Sequence, residues 1–319
     1  MNKKKILKIG IVMDPIQLIK IEKDSSFAIL LEAQKRHHEI YYMELNDLYL
    51  QKNHAYAKTR LIKIQKKINN YFSFIQEKNI LLNQLDVILM RKDPPFNMEF
   101  IYATYILERA EEAGVLIINK PKSLRDCNEK IFASLFYKFI PDTLVTRNIS
   151  QIYNFWKKHK DIIIKPLDSM GGSSVFRIKE DDENFIVISE VMTNYEKKYC
   201  MIQTYLPSVK DGDKRILIVN GQIIPWCIAR IPKKGENRAN IAAGGIAKIR
   251  KLHKKDWEIA NYLSPILQEK GLVFVGLDII GDKLTEINIT SPTCICEIES
   301  HTNISVSGML LDYIENQIY

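Results

Sequence analysis

A chain of 319 residues, 46% of them hydrophobic, can bury a large core and suits two or three subdomains rather than one small module. Its longest apolar runs, such as 272–277 and 162–164, are far too short to span a membrane. The opening "MNKKKILKIGIVMDP" reaches an acid and a proline too early for a secretory signal, so a soluble, cytoplasmic protein is expected. The formal charge of +8 leaves nucleic acid, a membrane surface and an anionic small molecule open. Lysines scattered through stretches such as "LIKIQKKINN", with no sustained basic face interleaved with aromatics, read as solvated surface rather than a nucleic-acid track. Five cysteines without a secretory signal argue against a disulfide framework, and Cys294 and Cys296 have no second pair to complete a zinc site.

In chain order, residues 5–13 form a short apolar run ending in "MDP", which suits a buried strand with a loop at its carboxyl end. "SSFAILLEAQKRHHEI" predicts a helix with Ser25 or Ser26 as N-cap, and "EIYYME" the next strand. Residues 51–82 lack a comparable pattern and read as an irregular insert. "LDVILMRKDPPF" is a strand and loop, "EFIYATYILERAEEAG" an amphipathic helix stopped by Gly114, and "VLIIN" a strand, so strands alternate with helices as in a parallel α/β sheet. Beyond Lys120-Pro121, "SLRDCNEKIFASLFYKF" predicts one helix, "DTLVTR" and "DIIIKPL" strands around another, and "LDSMGGSSVFRI" a glycine-bearing turn into a strand. From Tyr199 strands dominate, with hairpin turns at Asn220-Gly221 and Gly281-Asp282 and one interrupting helix, "KKDWEIANYLSPILQEKG".

The segment "VGLDIIGDKLTEINITSPT" places Asp278, Glu286 and Asn288 among apolar neighbours. Residues two apart on a strand share a face, so Glu286 and Asn288 project together, and a turn at Gly281 brings Asp278 onto the partner strand beside them. Two adjacent carboxylates and an amide suit a hard cation such as Mg²⁺; the same acids equally suit a loop cap and an ion pair with Lys or Arg. Lys165 ends the apolar "IIIK", where an unpaired ammonium is costly, so it calls for an anion. The Gly171-Gly172 turn that follows offers backbone amides to phosphates, or is simply a surface turn. Neither Walker A spacing nor G-x-G-x-x-G is present. Arg91, Arg215 and Arg230 lie at predicted strands or their edges and have the fork geometry for carboxylate or phosphate, although each alone reads as a structural ion pair.

Taken together, "GIVMDP", "KDSSFAILLEAQ", "DVILMRKDPPF", "NKPKSLRDCNEK", "KPLDSMGG", "KDGDKRILIVNG", "ARIP" and "FVGLDIIGDKLTEINITSPT" resemble the prokaryotic glutathione synthetase family of the ATP-grasp superfamily, over essentially the whole chain. The resemblance implies an α/β protein of ATP-grasp architecture. Its parts would be an N-terminal parallel α/β substrate domain at 1–125, a central α+β lid domain at 126–205, and a C-terminal α+β domain with a largely antiparallel sheet at 206–319. It also implies an ATP-dependent ligase that joins γ-glutamylcysteine to glycine through an acyl phosphate, using Mg²⁺ or Mn²⁺, as a cytoplasmic homotetramer. On this resemblance Lys130, Lys165, Gly171, Gly172 and Asp213 serve ATP, and Gln203, Tyr205 and Leu206 line the adenine pocket. Asp278, Glu286 and Asn288 hold the metal. Arg91, Arg215 and Arg230 are catalytic, and Ser291, Thr293 and Arg238 meet the peptide and the transferring phosphoryl group.

The segment "PKKGENRANIAAGGIAKIR" is the candidate lid that keeps water from the acyl phosphate. It departs from the family pattern at Ala239, Ile246 and Ala247, as does the chain at Ser169 and Cys296, which puts closure and rate in question. Two competing readings remain: another ATP-grasp carboxylate-amine ligase, and a non-catalytic nucleotide-binding descendant.

Overall fold

The structure, a computed structural model, describes residues 5–233 and 246–319. Three sheets follow one another along the chain. The first contains β1 (Lys8–Met13), β2 (Glu39–Met43), β3 (Leu48–Gln51), β4 (His54–Ile64), β5 (Phe72–Leu81), β6 (Val87–Arg91) and β7 (Leu116–Ile118). The strands β2, β1, β6 and β7 run parallel, and β4 adds antiparallel to β2 with β3 and β5 paired to it, so the expected parallel sheet carries an antiparallel extension. Here residues 51–82 differ from the irregular insert expected: they are mostly a long hairpin. The inward positions of β4 include Ala55, Ala57 and Thr59, which bury little apolar area, and β5 is exposed along most of its length. Small inward residues and an edge strand leave almost no period-two hydropathy signal.

Two helices accompany this sheet, α1 (Ser25–Lys35) and α2 (Met98–Glu112). The N-cap of α1 is Asp24, whose carboxylate accepts from the Phe27 N–H at 2.7 Å, rather than either serine. The serines are buried and used elsewhere: Ser26 Oγ accepts from Arg91 Nε at 3.0 Å, and Ser25 Oγ from the Ile295 N–H at 3.1 Å. The single helix expected over 123–139 is broken into α3 (Pro121–Asp126) and α4 (Glu129–Ser134), because Asn128 caps the second with its side-chain oxygen on the Lys130 and Ile131 N–H groups.

The second sheet has the order β10 (Phe176–Ile178), β9 (Ile162–Pro166), β11 (Cys200–Thr204), β8 (Thr143–Thr146), all antiparallel. Ile162, Ile164, Cys200 and Ile202 pack under α5 (Ile149–His159) and α6 (Phe185–Thr193), so the alternate residues Ile163, Lys165, Met201 and Gln203 take the opposite face.

The third sheet runs β14 (Ile246–Lys251), β13 (Gln222–Ile231), β12 (Asp213–Val219), β15 (Phe274–Ile280), β16 (Lys283–Asn288), entirely antiparallel. One face packs Ile216, Ile218 and Leu277 onto α7 (Lys254–Glu269). The other carries Leu217 and Val219 under α8 (Ile295–His301) and α9 (Val306–Ile318), two helices absent from the sequence reading.

Asn119, just past β7, ties the first sheet to the third. Its amide donates to the Phe274 and Ile289 carbonyls at 2.8 and 2.7 Å and accepts from the Phe274 N–H at 2.9 Å, all buried. Asn119→Ala leaves three backbone groups without partners, each costing about 1–3 kcal/mol. A loss of about 3 kcal/mol or more is expected in urea unfolding; a midpoint unchanged from wild type would remove Asn119 as the tether.

Candidate active site

Because the period of a strand is two, the charged residues of the third sheet share one face. Asp213 and Arg215 lie two apart on β12. The register sets Arg230 opposite Asp213, Asp278 opposite Arg215, Glu286 opposite Asp278, and Asn288 opposite Gly276. This face and the free face of the second sheet enclose a cavity of about 290 Å³, with Lys165 and Gln203 on one wall and Asp278 and Glu286 on the other. A cleft of this size between two sheets, apolar with a few convergent charges, is the form of a small-molecule site.

Within it the charges are closely paired. Arg215 grips Asp278 with two bonds, at 2.5 and 2.9 Å, and Arg230 meets Asp278 at 2.9 Å and Asp213 at 2.6 Å. Burial pushes the Asp278 carboxyl up, but the two guanidinium groups outweigh it and hold the group well below the usual carboxylate range. Asp213 moves the other way: burial lifts it to about 6, with Arg230 opposing and Asp278 adding to the rise, and its Oδ1 has no hydrogen-bond partner among the described residues. Gly276 makes the Arg215 clasp possible. A Cβ there would stand 2.8 Å from Arg215 Cδ and 3.2 Å from Nε, so only glycine lets the guanidinium lie across β15. Gly276→Ala is expected to push Arg215 off Asp278 at a cost of about 1–3 kcal/mol and to reduce activity. A crystal structure of the variant with the Arg215–Asp278 bonds intact would contradict this.

The two lysines differ. Lys130, on α4, meets Glu286 at 2.8 Å and donates to the Ser169 carbonyl at 2.8 Å. Lys165 is also buried, yet among the described residues its ammonium bonds only to the Thr285 carbonyl at 3.2 Å; burial pushes it down to about 8 even with Glu286 nearby. Between them the 167–175 turn lines the cavity, with Gly171 and Gly172 at φ of +67° and +76°, a region that favours glycine.

Gln203, Tyr205 and Leu206 also line the cavity, near the apolar Ile163, Val175 and Ile280. Tyr205 is held from behind by Arg177, whose guanidinium lies 3.5 Å over its ring and is itself clasped by Asp161 at 2.6 and 2.9 Å. Ser291 and Thr293 reach the same cavity, Thr293 Oγ1 standing 3.4 Å from Arg215 Nη1. Arg91 does not line the cavity but sits behind this loop, donating to the Pro292 carbonyl at 2.8 Å. Its Nη1 is buried with no partner among the described residues, and burial pushes the guanidinium down to about 10.

Arg238 and Gly244-Gly245 of the candidate lid lie outside the described residues, while its last part, from Ile246, is a regular strand paired with β13. Sequence reasoning missed Glu129. Its Oε1 accepts from the Ile289 and Thr290 N–H groups and the Thr290 hydroxyl at 2.8, 3.0 and 2.9 Å, locking the end of β16 onto α4. An acid in the first turn of a helix is too ordinary to signal that role.

The donors around Asp278 and Glu286 fit a hard divalent ion. Two carboxylates face each other across adjacent strands, and Asn288 donates its amide N–H to the Gly276 carbonyl at 3.3 Å, leaving its oxygen to accept.

The fold is that of the ATP-grasp ligases. The solved structure of an ATP-grasp ligase complexed with a minimal precursor superposes with a TM-score of 0.62 at 16% identity, covering 99% of this chain and 100% of that one. The chain belongs to the prokaryotic glutathione synthetase family: the model of its N-terminal domain matches residues 7–125 and that of its ATP-grasp domain residues 129–303. A glutathione synthetase of Buchnera aphidicola subsp. Schizaphis graminum (strain Sg) is 73% identical over 100% of both chains, and that of Escherichia coli (strain K12) is 59% identical over 98% of this chain and 99% of its own.

Proposed function

We propose that this chain joins γ-glutamylcysteine to glycine at the expense of ATP, giving glutathione, ADP and phosphate. The observation that carries the reading is the cavity itself, where a buried lysine, with no carboxylate bonded to it among the described residues, faces an acid–amide cluster across the space between two sheets. Membership of the family supplies the substrates.

A carboxylate is a poor electrophile toward an amine, so one of its oxygens first attacks the γ-phosphorus of ATP and ADP leaves. The amine of glycine then attacks the acyl carbon and phosphate departs. The chain's part is positioning and charge. Lys165, Lys130 and the Gly171-Gly172 turn hold phosphates, and Gln203, Tyr205 and Leu206 hold the adenine against the apolar wall. Asp278, Glu286 and Asn288 hold Mg²⁺, or Mn²⁺ in its place. The metal supplies charge neutralisation on the phosphoryl oxygens. Arg215 and Arg230 face the transferring group, with Asp213 orienting Arg230. Ser291, Thr293 and Arg238 take the peptide, and Arg91 holds their loop from behind through the Pro292 carbonyl, its Nη1 having no partner among the described residues.

In this reading the three sheets divide the work as substrate, lid and metal domains over 1–125, 126–205 and 206–319. The protein acts on small molecules in the cytoplasm as a homotetramer, with neither nucleic acid nor membrane as partner. No helix among the described residues is long and apolar enough to cross a membrane. The exposed Met98, Tyr102 and Tyr105 along α2 suit a subunit interface.

The test is purified protein with ATP, Mg²⁺, γ-glutamylcysteine and a panel of amines, reading phosphate and product mass together. One glutathione per phosphate with glycine supports the reading, and product only with another amine refutes the substrate assignment. A pH dependence is also expected. Nucleotide phosphates favour the charged form of Lys165, so affinity is greatest below about 8 and falls as pH rises through that value, where the free site loses its proton. Titration calorimetry of ADP from pH 7 to 9 measures this, and Lys165→Met should flatten the profile.

A further inference from the structure

Both carboxylates of the metal set already have cations of the chain in contact: Glu286 has Lys130 at 2.8 Å, and Asp278 has Arg215 and Arg230. We propose that Lys130 stands in for the metal on Glu286, so that this site takes the divalent ion only as a nucleotide chelate, the phosphates drawing Lys130 away as the ion replaces it. The proposal rests on the ligase reading of the same cavity and specifies the form in which its substrate enters.

The geometry is that of an exchange. Lys130 Nζ bridges two partners, Glu286 and the carbonyl of Ser169 in the phosphate turn, each at 2.8 Å. Its side chain is 5% exposed, so an ion arriving alone at Glu286 would strip a buried ammonium of its counter-ion and place a dication beside it. A nucleotide arriving alone would set phosphates against the Glu286 carboxylate. Arriving together, the phosphates offer Lys130 a new anion at the turn it already touches, and the carboxylate is released to the ion. Lys165 takes no part in the exchange, because among the described residues it bonds to the Thr285 carbonyl and to no carboxylate, which leaves it to meet phosphate from the outset. The two lysines, alike in burial and charge, therefore differ in role by one contact.

Electron paramagnetic resonance of Mn²⁺ tests this directly. Wild type is expected to bind Mn²⁺ weakly alone and tightly with ADP. In Lys130→Met the carboxylate is already free, so binding of Mn²⁺ alone should tighten by on the order of tenfold to a hundredfold, and the gain from adding ADP should shrink. Lys130→Gln should behave likewise, which covers failure of either variant to fold, judged by circular dichroism. Lys165→Met removes the same charge from the same cavity without touching Glu286 and should tighten Mn²⁺ alone far less. Equal tightening in the Lys130 and Lys165 variants, or tight binding of Mn²⁺ alone to wild type, overturns the exchange and leaves the ligase reading standing. No Mn²⁺ binding to wild type even with ADP overturns both.

Discussion

Glu286→Gln is expected to keep the fold and lose turnover by about a hundredfold or more. A bound ion in a phosphoryl-transfer site is worth several kcal/mol of transition-state stabilisation, and each ~1.4 kcal/mol is a factor of ten. Glutamine preserves the shape and one oxygen but removes the charge that balances Lys130 now and the metal in the working complex. The amide oxygen of glutamine can still accept from Lys130, which also keeps the Ser169 carbonyl at 2.8 Å, so the fold should remain. The expected signature is a steep rise in the Mg²⁺ concentration needed for half-activity, with a lowered maximum and a thermal midpoint within a few degrees of wild type. Wild-type Mg²⁺ dependence in the variant would take Glu286 out of the metal set.

That site was partly legible in the sequence, and the reason is geometric. A strand writes its facing residues at every second position, so Glu286 with Asn288, and Asp278 across the Gly281 turn, follow from period two, and the register sets Asp278 opposite Glu286. The ambiguity at that stage was real as well. The acids do pair with Lys and Arg, so the ion-pair reading describes the groups as they stand, and the metal reading describes the state proposed for the working complex. Nothing in local sequence could reveal the cross-sheet partners, because Lys130 lies 156 residues before Glu286 (286 − 130) and Arg215 lies 63 before Asp278. Gly276 and Glu129 were invisible for a related reason: each matters only through what approaches it from another element.

The fold was legible where a buried stripe runs long and failed where it does not. β6, α2 and the β12–β13 hairpin have continuous or periodic apolar residues and lie where expected. The β4–β5 hairpin was missed because small residues line its inward face and its outer strand has no buried face at all. The break between α3 and α4 depended on a single asparagine choosing to cap rather than continue, a local competition that hydrophobic periodicity does not record.

Asp278→Asn should be the more damaging substitution of the two carboxylates, and for the fold rather than the metal alone. Asp278 is 3% exposed and is shared by Arg215 and Arg230, both also buried. An amide offers one acceptor where the carboxylate offered two, and it leaves two guanidinium groups with Asp213 as their nearest counter-charge. Breaking a buried pair from one side costs about 3–5 kcal/mol, a large share of the ~5–15 kcal/mol that holds a typical domain together. Little soluble protein at 37 °C and a much lower urea midpoint are expected. The pH dependence separates this account from simple loss of packing. In wild type the Asp278 carboxyl is depressed when folded, so its contribution is present above the unfolded value of about 3.9 and is lost only as pH falls below it. Asp213 has the opposite sign: with its folded value near 6, it takes up a proton in the folded state between 6 and about 4, and that uptake favours folding as the pH falls. Asp278 is one cause of the Asp213 rise. Removing its charge therefore lets the two arginines pull Asp213 down, and the variant should lose the stability gain that wild type derives from Asp213 as pH drops from 7 to 5. Urea midpoints of both proteins across that range decide the matter; parallel curves would show that Asp213 does not answer to Asp278, and that the ionic face of the third sheet is a set of independent pairs.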